Sequence, residues 1–388
     1  MKIIQINSSS SSFIIKDYER DIYRGWYAQV ACELKKAYPK LEIECWTPEK
    51  KYKKEKSKTF QGVKFRIFPT NLSVRNGMEF SLPMVKALKK EEKIARQKGE
   101  KLILQFHEYH SWQTYLMLLR KDKRTKVIAQ HHGGRSPFKN LMKYKRLLLF
   151  LPAIVGMQFC ENLLFKKVDI FYSLSNEEIS YIKKLAPKSK VKFQTVGISN
   201  DYFKMENKNK LRKKLGLEKD KKYIMYLGRI KTTKGIRELL DIIGDIDAEL
   251  LLIGGGRDDD KYKAYAKEIG VKNANFLGAI YGNAKLDYLA ACDCLVLPSY
   301  TEGTPVVIME ALARNLPIVA TTVGGIPRMM ENGVQGILIP PQTRKELRNA
   351  LKKVLGWKKK NLRKYAERYR WNKIIKETMK DYKKLIEK

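Results

Sequence analysis

The stretch 294–322 (CLVLPSYTEGTPVVIMEALARNLPIVATT) constrains the fold more than any other part of this chain. It begins with a short apolar run, Leu295–Leu297, of the kind that forms a buried parallel strand. From Val306 to about Asn315 the apolar residues recur at helical spacing, and a second strand is predicted over Ile318–Ala320. Strand, loop, helix and strand in this order build a right-handed crossover in a parallel sheet.

The same alternation of strand and helix patterns continues over the rest of the chain and predicts an α/β protein. In the first half, strands are predicted over Lys2–Asn7, Ile43–Trp46, Val63–Phe68, Leu102–Phe106, Val127–Gln130, Ile170–Leu174 and Val191–Val196. In the second half, they are predicted over Tyr223–Leu227, Glu249–Ile253, Asn275–Leu277, Cys294–Leu297, Ile318–Ala320 and Gly336–Ile339. A polar, Lys- and Asn-rich stretch from Gly197 to about Lys221 separates the halves. We therefore expect two domains, each a doubly wound parallel sheet that binds ligands beyond the carboxyl ends of its strands.

The balance of charge and the cysteine content restrict the partners and the cellular setting. The chain has 79 Lys and Arg against 41 Asp and Glu, and its formal net charge of +38 favours an anionic partner: nucleic acid, an anionic membrane surface or a phosphorylated substrate. A Lys-rich solvated surface is the alternative. The five Cys are scattered and include no CxxC pair, which is typical of a reducing, intracellular setting. The sequence also shows no signal-peptide pattern and no apolar span of about 18 residues. We therefore expect a cytoplasmic protein without a transmembrane helix.

Two carboxylates in the first stretch, Glu302 and Glu310, are candidate ligand-binding groups. On one continuous helix they would lie about 80° apart, so Glu302 must lie in the loop before the helix if both are to face one ligand. The N–H groups of that loop and the positive end of the helix dipole suit a phosphate. The loop residues concerned are Gly303, Thr304, Pro305 and Val306. On spacing alone, a helix-capping Glu302 and a solvated Glu310 are the alternative.

A second candidate stretch, 228–235 (GRIKTTKG), follows a predicted strand and opens a helix. Gly228 allows a tight turn of the backbone at the end of the strand. Arg229 can make paired hydrogen bonds to phosphate, and Lys234 adds a point charge. In a chain with so many basic residues, ordinary surface charge is the alternative.

Together these stretches resemble the signatures of the retaining family 4 glycosyltransferases, within the glycosyl transferases group 1. The first stretch is similar to the Glu-x7-Glu signature of that family, through Glu302-Gly303, Glu310-Ala311, Leu316-Pro317 and Gly324-Gly325. The Gly228–Gly235 stretch is similar to its diphosphate clamp, in the same order and at the first strand of the second domain.

The resemblance implies the GT-B fold, in which two Rossmann-like doubly wound parallel-sheet domains face each other across a cleft. Residues 1–200 would bind the acceptor, residues 201–370 the nucleotide-sugar, and the helix of residues 371–388 would cross back to the first domain. The implied activity is hexosyl transfer from a nucleotide-diphosphate sugar to an acceptor hydroxyl on a lipid, a glycan or a small molecule. The family transfers with retention, and we expect neither a metal nor a cofactor besides the donor.

The resemblance also implies roles for donor-side residues. Arg229, Lys234 and the helix start near Thr304 would hold the diphosphate, Glu302 the sugar hydroxyls and Glu310 the ribose. Gly255, in the Gly254–Gly256 run, would let the backbone approach the nucleotide, and a flexible turn is the equal alternative. Ile280 would line the base pocket.

On the acceptor side, His131-His132-Gly133 at the end of a predicted strand resembles the position of the family's cleft histidine. His132 matches best because it precedes Gly133, and His131 is the second choice; the family histidine touches and positions the transferred sugar. The family's Gly-Gly pair after the first strand is absent, and only Gly25 is available on the acceptor side. A second departure is Arg328, where the family commonly has an acid.

Two further patterns carry weaker predictions. The DxD word at 245–247 precedes a predicted strand and the one at 258–260 starts a predicted helix, and we predict no metal at either. The apolar segment Leu147–Phe159 lies between basic residues and is too short to span a bilayer. It could equally be a helix buried in the first domain or a segment in the interface of an anionic membrane, which would make the protein peripheral on the inner face.

Two other functions are weighed against transfer. A nucleotide-sugar epimerase on the same fold would release free sugar epimer without any acceptor. A basic nucleic-acid-binding protein would show steep salt dependence, but the sequence has no recognised nucleic-acid module and no aromatics among its basic runs.

Overall fold

The structure is a computed structural model that describes residues 1–8, 22–73, 79–131, 151–358 and 361–387. The chain divides into two compact units, the first formed by Met1–Val196 with Ile374–Lys388 and the second by Gly197–Lys373. Each unit is an α/β fold built on a largely parallel sheet.

The sheet of the first unit has eight strands in the order β10-β9-β8-β7-β1-β2-β4-β3, and every pair is parallel except β3 with β4. The strands are β1 (Lys2–Asn7), β2 (Glu42–Glu49), β3 (Lys56–Phe60), β4 (Val63–Pro69), β5 (Leu72–Ser73), β6 (Glu79–Phe80), β7 (Leu102–His107), β8 (Lys126–Gln130), β9 (Ile170–Ser173) and β10 (Lys190–Phe193). β5 and β6 form a separate antiparallel pair. The helices are α1 (Trp26–Ala37), α2 (Leu82–Gln97), α3 (Trp112–Arg120), α4 (Leu151–Leu164) and α5 (Asn176–Leu185).

The second sheet is entirely parallel, with the order β13-β12-β11-β14-β15-β16. Its strands are β11 (Tyr223–Leu227), β12 (Glu249–Ile253), β13 (Ala274–Gly278), β14 (Cys294–Leu297), β15 (Ile318–Thr321) and β16 (Gly336–Ile339). The helices are α6 (Lys208–Lys214), α7 (Ile236–Ile243), α8 (Asp259–Glu268), α9 (Gly282–Ala291), α10 (Val306–Ala313), α11 (Ile326–Met329), α12 (Arg344–Leu355) and α13 (Arg363–Ala366). A last helix, α14, spans Trp371–Ile386.

The predicted strands are present, and the differences have local causes. β3 was missed because its sequence, KSKTF, is polar and largely exposed at the edge of the sheet, so it lacks an apolar pattern. β10 ends at Phe193, before the predicted Val196. Its pairing with β9 stops there, at the pair Phe193–Ser173.

The end of α14 packs on the first sheet through polar contacts. Gln5 Nε2 donates to Tyr382 Oη (2.8 Å), and the Tyr382 hydroxyl donates to Gln105. Asp381, which is 1% exposed, accepts from Tyr172 and pairs with Lys192. These partners explain how a sheet face can hold buried polar side chains under a helix.

Candidate functional site

Two loops meet where the strand order of the second sheet changes direction. The chain proceeds from β11 through β12 to β13 on one side, and β14 then pairs with β11 on the other side. The loops after β11 and β14 therefore start side by side at the carboxyl ends of the strands, where open α/β sheets bind ligands. The amide of Tyr300 donates to the carbonyl oxygen of Thr233 (2.9 Å) and joins the two loops.

Glu302 and Lys234 form an ion pair across these loops. Lys234 Nζ lies 2.5 Å from Glu302 Oε1, and Ser299 Oγ donates to the same oxygen at 2.7 Å. Only 14% of the Lys234 side chain and 12% of the Glu302 side chain are exposed. An ammonium has three N–H donors, so Lys234 retains capacity for a further oxygen next to Glu302.

Further positive charge lies close to this pair. Arg229 follows β11 with an exposed side chain, and Tyr226 Oη donates to its carbonyl oxygen at 2.8 Å. Burial, together with the cations of Arg229 and Lys234, lowers the pKa of Lys231. The three cations therefore lie within electrostatic reach of one another, and such a concentration favours an anionic ligand.

The N-terminus of α10 completes this part of the site. Pro305 is the N-cap, with φ −69° and ψ 109°, and no side chain caps the first turn. Thr304 Oγ1 is buried and has no hydrogen-bond partner among the described residues. Because the first N–H groups of a helix have no intrahelical partner, this turn offers donors and a positive dipole end to an anion.

Glu310, on α10, is 7% exposed, so it is not the solvated carboxylate that spacing alone allowed. Lys285 Nζ on α9 lies 2.8 Å from its Oε1 and also 5.1 Å from the centre of the Tyr202 ring. Burial, and then the charge and hydrogen bond of Glu310, raise the pKa of the Tyr202 hydroxyl. Glu310 is thus a buried carboxylate stabilised by one cation and one phenol.

Glycine at two positions allows the close approach of backbone that shapes these loops. A Cβ at Gly324 (φ +59°) would lie 1.9 Å from the carbonyl oxygen of Glu302, and Gly325 N donates to Gly303 O at 2.7 Å. A Cβ at Gly254 would lie 1.8 Å from the carbonyl oxygen of Gly228. The glycines therefore hold the loops of Glu302 and Arg229 against neighbouring backbone.

We expect Gly324→Ala to lower the free energy of unfolding by about 3 kcal/mol, because a positive φ and a backbone clash add together. Gly270 is the matched control, since its φ is +70° and an added Cβ would meet nothing within 4 Å. Gly270→Ala should cost only about 1 kcal/mol. Urea unfolding of both variants measures the difference, and equal losses would show that the contact with Glu302 does not hold the loop.

Gly255 and Ile280 lie at the same edge of the sheet. An added Cβ at Gly255 would meet nothing within 4 Å, and its carbonyl oxygen accepts from Ile230 N at 3.2 Å. Ile280, two residues beyond the end of β13, is partly buried. Gly254 N donates to Gly278 O (2.7 Å), which ties the ends of β12 and β13 together beneath both residues.

In the first unit, His131 lies just beyond the end of β8 and is 7% exposed. Its Nε2 lies 3.0 Å from Glu108 Oε2, and its Nδ1 lies 3.8 Å from Glu178 Oε1. Burial alone would lower the pKa of His131, but the charge and hydrogen bond of Glu108, with Glu178 and Glu161 beyond, raise it to about 9. The imidazole is therefore a bound cation at neutral pH rather than a general base.

A second histidine packs against this one. The rings of His110 and His131 are 5.0 Å apart, and His110 Nδ1 lies 2.6 Å from Glu161 Oε1, which also accepts from Tyr115 Oη at 2.6 Å. Sequence reasoning missed these acids, although Glu108 directly follows β7. The position of Glu108 at the carboxyl end of a predicted parallel strand was the signal that could have found it.

The other acceptor-side predictions are only partly described. His132 and Gly133 lie outside the described residues. Gly25 is the N-cap of α1 and has an extended conformation, with φ −63° and ψ 168°. Its carbonyl oxygen accepts from Gln29 N at 3.0 Å, so it serves the start of the helix.

Each of the two DxD words has an aspartate with a protein partner. Asp258 Oδ2 accepts from Thr232 N (2.8 Å) and Thr232 Oγ1 (3.0 Å), and Asp245 pairs with Arg348. Within the ranges that the structure describes, no group of three His, Cys, Asp or Glu could hold a metal ion. Metal-independent chemistry stays a prediction.

Comparison with known proteins gives matches of two kinds. Residues 207–371 match the family model described as glycosyl transferases group 1. An uncharacterized glycosyltransferase, MJ1607, of Methanocaldococcus jannaschii is 29% identical over 239 residues, which are 57% of this chain and 60% of that protein. The putative teichuronic acid biosynthesis glycosyltransferase TuaC of Bacillus subtilis is 34% identical over 149 residues, 38% of this chain and 36% of that protein. The chain thus matches less than two thirds of the length of either relative.

Solved structures resemble the whole chain. Sucrose-phosphate synthase from Thermosynechococcus elongatus has a TM-score of 0.73 at 18% identity and covers 99% of both chains. Anabaena HepE, solved in complex with UDP, has a TM-score of 0.69 at 16% identity and covers 99% of this chain and 100% of its own. At such identities the likeness shows the fold alone. That fold is the two-domain α/β architecture expected from the sequence.

Proposed function

We propose that the chain is a retaining glycosyltransferase, on the premise that residues 207–371 match the glycosyl transferases group 1 family. It moves a hexosyl group from a nucleoside-diphosphate sugar to an acceptor hydroxyl on a lipid, a glycan or a small molecule. The observation that carries the proposal is the Lys234–Glu302 pair, 2.5 Å apart, directly before the uncapped N-terminus of α10. In such a donor the phosphate and the sugar are directly linked. A cation suits the phosphate and a carboxylate suits the sugar hydroxyls, so the two groups need to be adjacent.

The diphosphate is recognised by charge and by backbone donors. Arg229 supplies a planar fork of donors, Lys234 a point charge, and the first turn of α10 its N–H groups. These groups stabilise the negative charge that develops on the leaving diphosphate, which is often the largest single catalytic contribution. The complexes of Anabaena HepE with UDP and with UDP-glucose support a nucleotide-sugar donor on this fold.

The two carboxylates fasten the sugars on either side of the diphosphate. Glu302 accepts hydrogen bonds from hydroxyls of the transferred hexose, and its partner Lys234 turns a second N–H toward the adjacent phosphate. Glu310 accepts from the ribose hydroxyls, while Lys285 and Tyr202 hold its carboxylate in position. Gly255 and Ile280 lie beside the nucleoside at the same edge of the sheet.

The transfer step needs no cofactor beyond the donor. The acceptor oxygen forms a bond to the anomeric carbon on the face from which the diphosphate leaves, and the bond from that carbon to the phosphate oxygen breaks. The acceptor proton passes to a phosphate oxygen, so the nucleoside diphosphate leaves without a protein base. Arg229, Lys231 and Lys234 supply the positive charge, which makes the reaction independent of a metal ion.

The test is to incubate the purified chain with a panel of nucleoside-diphosphate hexoses and acceptor alcohols and to follow the anomeric signals by NMR. An α-linked donor should give an α-linked product, and EDTA should leave the rate unchanged. Glu302→Gln is the comparison variant and should give no product. A β-linked product would overturn retention, and release of epimerised free sugar without acceptor would replace transfer by epimerisation.

A further inference from the structure

One face of α4 carries a stripe of exposed apolar side chains. Leu151, Val155, Phe159 and Leu163 follow one another at every fourth position and are 39%, 51%, 68% and 56% exposed. Four-residue steps keep them on one side of the helix, over a length of about 18 Å. Large apolar side chains exposed in a continuous row mark a surface that contacts another apolar phase.

The opposite face of the same helix shows that the stripe is not the core side. Met157 and Leu164 are 2% and 3% exposed and belong to the core of the first unit. Glu161 is also buried and accepts from His110 and Tyr115. The sequence left open whether Leu147–Phe159 is buried or lies in a membrane interface; residues 147–150 lie outside the described residues, and α4 has one buried face and one exposed face.

The charged residues in and after α4 indicate which kind of surface the stripe contacts. Glu161 is the only acidic residue in α4, and it is buried, so no acidic residue of this helix lies on the stripe. Lys166 and Lys167 follow the helix and are exposed. An apolar row that ends in exposed lysines, on a chain of formal net charge +38, complements an anionic bilayer surface.

We propose that this stripe, residues 151, 155, 159 and 163 with Lys166, is a peripheral membrane-binding surface for anionic lipid. The apolar side chains enter the boundary between headgroups and acyl chains, and the lysine pairs with lipid phosphate. Within the part of the chain that the structure describes, no helix is long and apolar enough to cross a membrane. The surface is in the first unit, so the inference goes beyond the proposed sugar transfer and does not depend on it.

The test is sedimentation of the purified full chain with vesicles of phosphatidylcholine alone and of phosphatidylcholine mixed with phosphatidylglycerol. The chain should bind the anionic vesicles, and Phe159→Ser with Leu163→Ser should weaken that binding at least about tenfold. Lys166→Glu should weaken it further and reduce its dependence on salt. Circular dichroism should show unchanged folding, because the replaced side chains are exposed.

Ile269→Ser is the matched control, since Ile269 is 40% exposed at the end of α8 in the second unit. This variant should bind like the original chain. Equal vesicle binding by the double variant and the original chain would overturn the proposal. A monomer–dimer equilibrium that only the double variant abolishes, without vesicle binding by either, would assign the stripe to a second copy of the chain instead.

Discussion

Lys234→Ala is expected to lower the rate of sugar transfer by about 10²–10³-fold, while the fold stays intact. In the proposed site, the substitution removes the hydrogen-bond donor that lies beside Glu302 and faces the diphosphate, and removal of one such preorganised donor costs about this much in other enzymes. Glu302 keeps its hydrogen bond from Ser299 Oγ at 2.7 Å, so the loop retains a partner. Steady-state kinetics with the donor identified by NMR measures the loss.

Lys221→Ala is the matched control for this variant. Lys221 also pairs with carboxylates, at 2.8 Å from Glu218 and 3.5 Å from Glu249, but it lies before β11, at the opposite end of the sheet. Its removal should leave transfer unchanged. Lys234→Arg should recover only part of the activity, because a planar guanidinium does not replace a compact ammonium. Transfer by Lys234→Ala at half the original rate or more would contradict the role of Lys234.

Glu310→Ala is expected to lower kcat/KM for the donor by at least about 10²-fold, because the carboxylate that is proposed to accept charge-assisted hydrogen bonds from the ribose is lost. The same variant leaves Lys285 partly buried, at 22% exposure, without its carboxylate. We therefore also expect a loss of about 2 kcal/mol in the free energy of unfolding. Donor titration and urea unfolding measure the two effects separately.

A double variant separates donor binding from stability. Lys285→Met combined with Glu310→Ala removes both charges, so most of the lost stability should return while donor binding stays weak. Glu249→Ala is the control for loss of a paired carboxylate, since Glu249 lies at the amino end of β12 and pairs with Lys221. Recovery of donor binding in the double variant would make Glu310 a purely structural residue.

The parts of the site that the sequence predicts are those that follow local patterns. Apolar runs located β11 and β14, and the angular spacing of two carboxylates placed Glu302 in the loop before α10. Helix α10 ends just short of the predicted Asn315, which adopts a left-handed conformation at φ +59° and so terminates the helix. The end of a helix at such a residue can be predicted from the local sequence.

The parts that could not be predicted depend on contacts between distant positions. Lys285 and Tyr202 surround Glu310 from elements 25 and more than 100 positions away, and no periodicity in the sequence pairs them. The crowding at Gly324 likewise requires knowledge that its partner is the Glu302 carbonyl. In the first unit, Glu178 has no distinguishing pattern in the sequence, and only the parallel pairing of β8 with β9 brings it to His131.

The most direct test of the proposed donor site is a crystal structure of the chain with a nucleoside-diphosphate sugar that its own assay identifies as donor. We expect the diphosphate oxygens within hydrogen-bonding distance of Lys234 Nζ, the Arg229 guanidinium and the first N–H groups of α10. The hexose hydroxyls should lie on Glu302 and the ribose hydroxyls on Glu310. A donor bound away from the ends of β11 and β14, with neither carboxylate in contact with a sugar, would contradict the assignment.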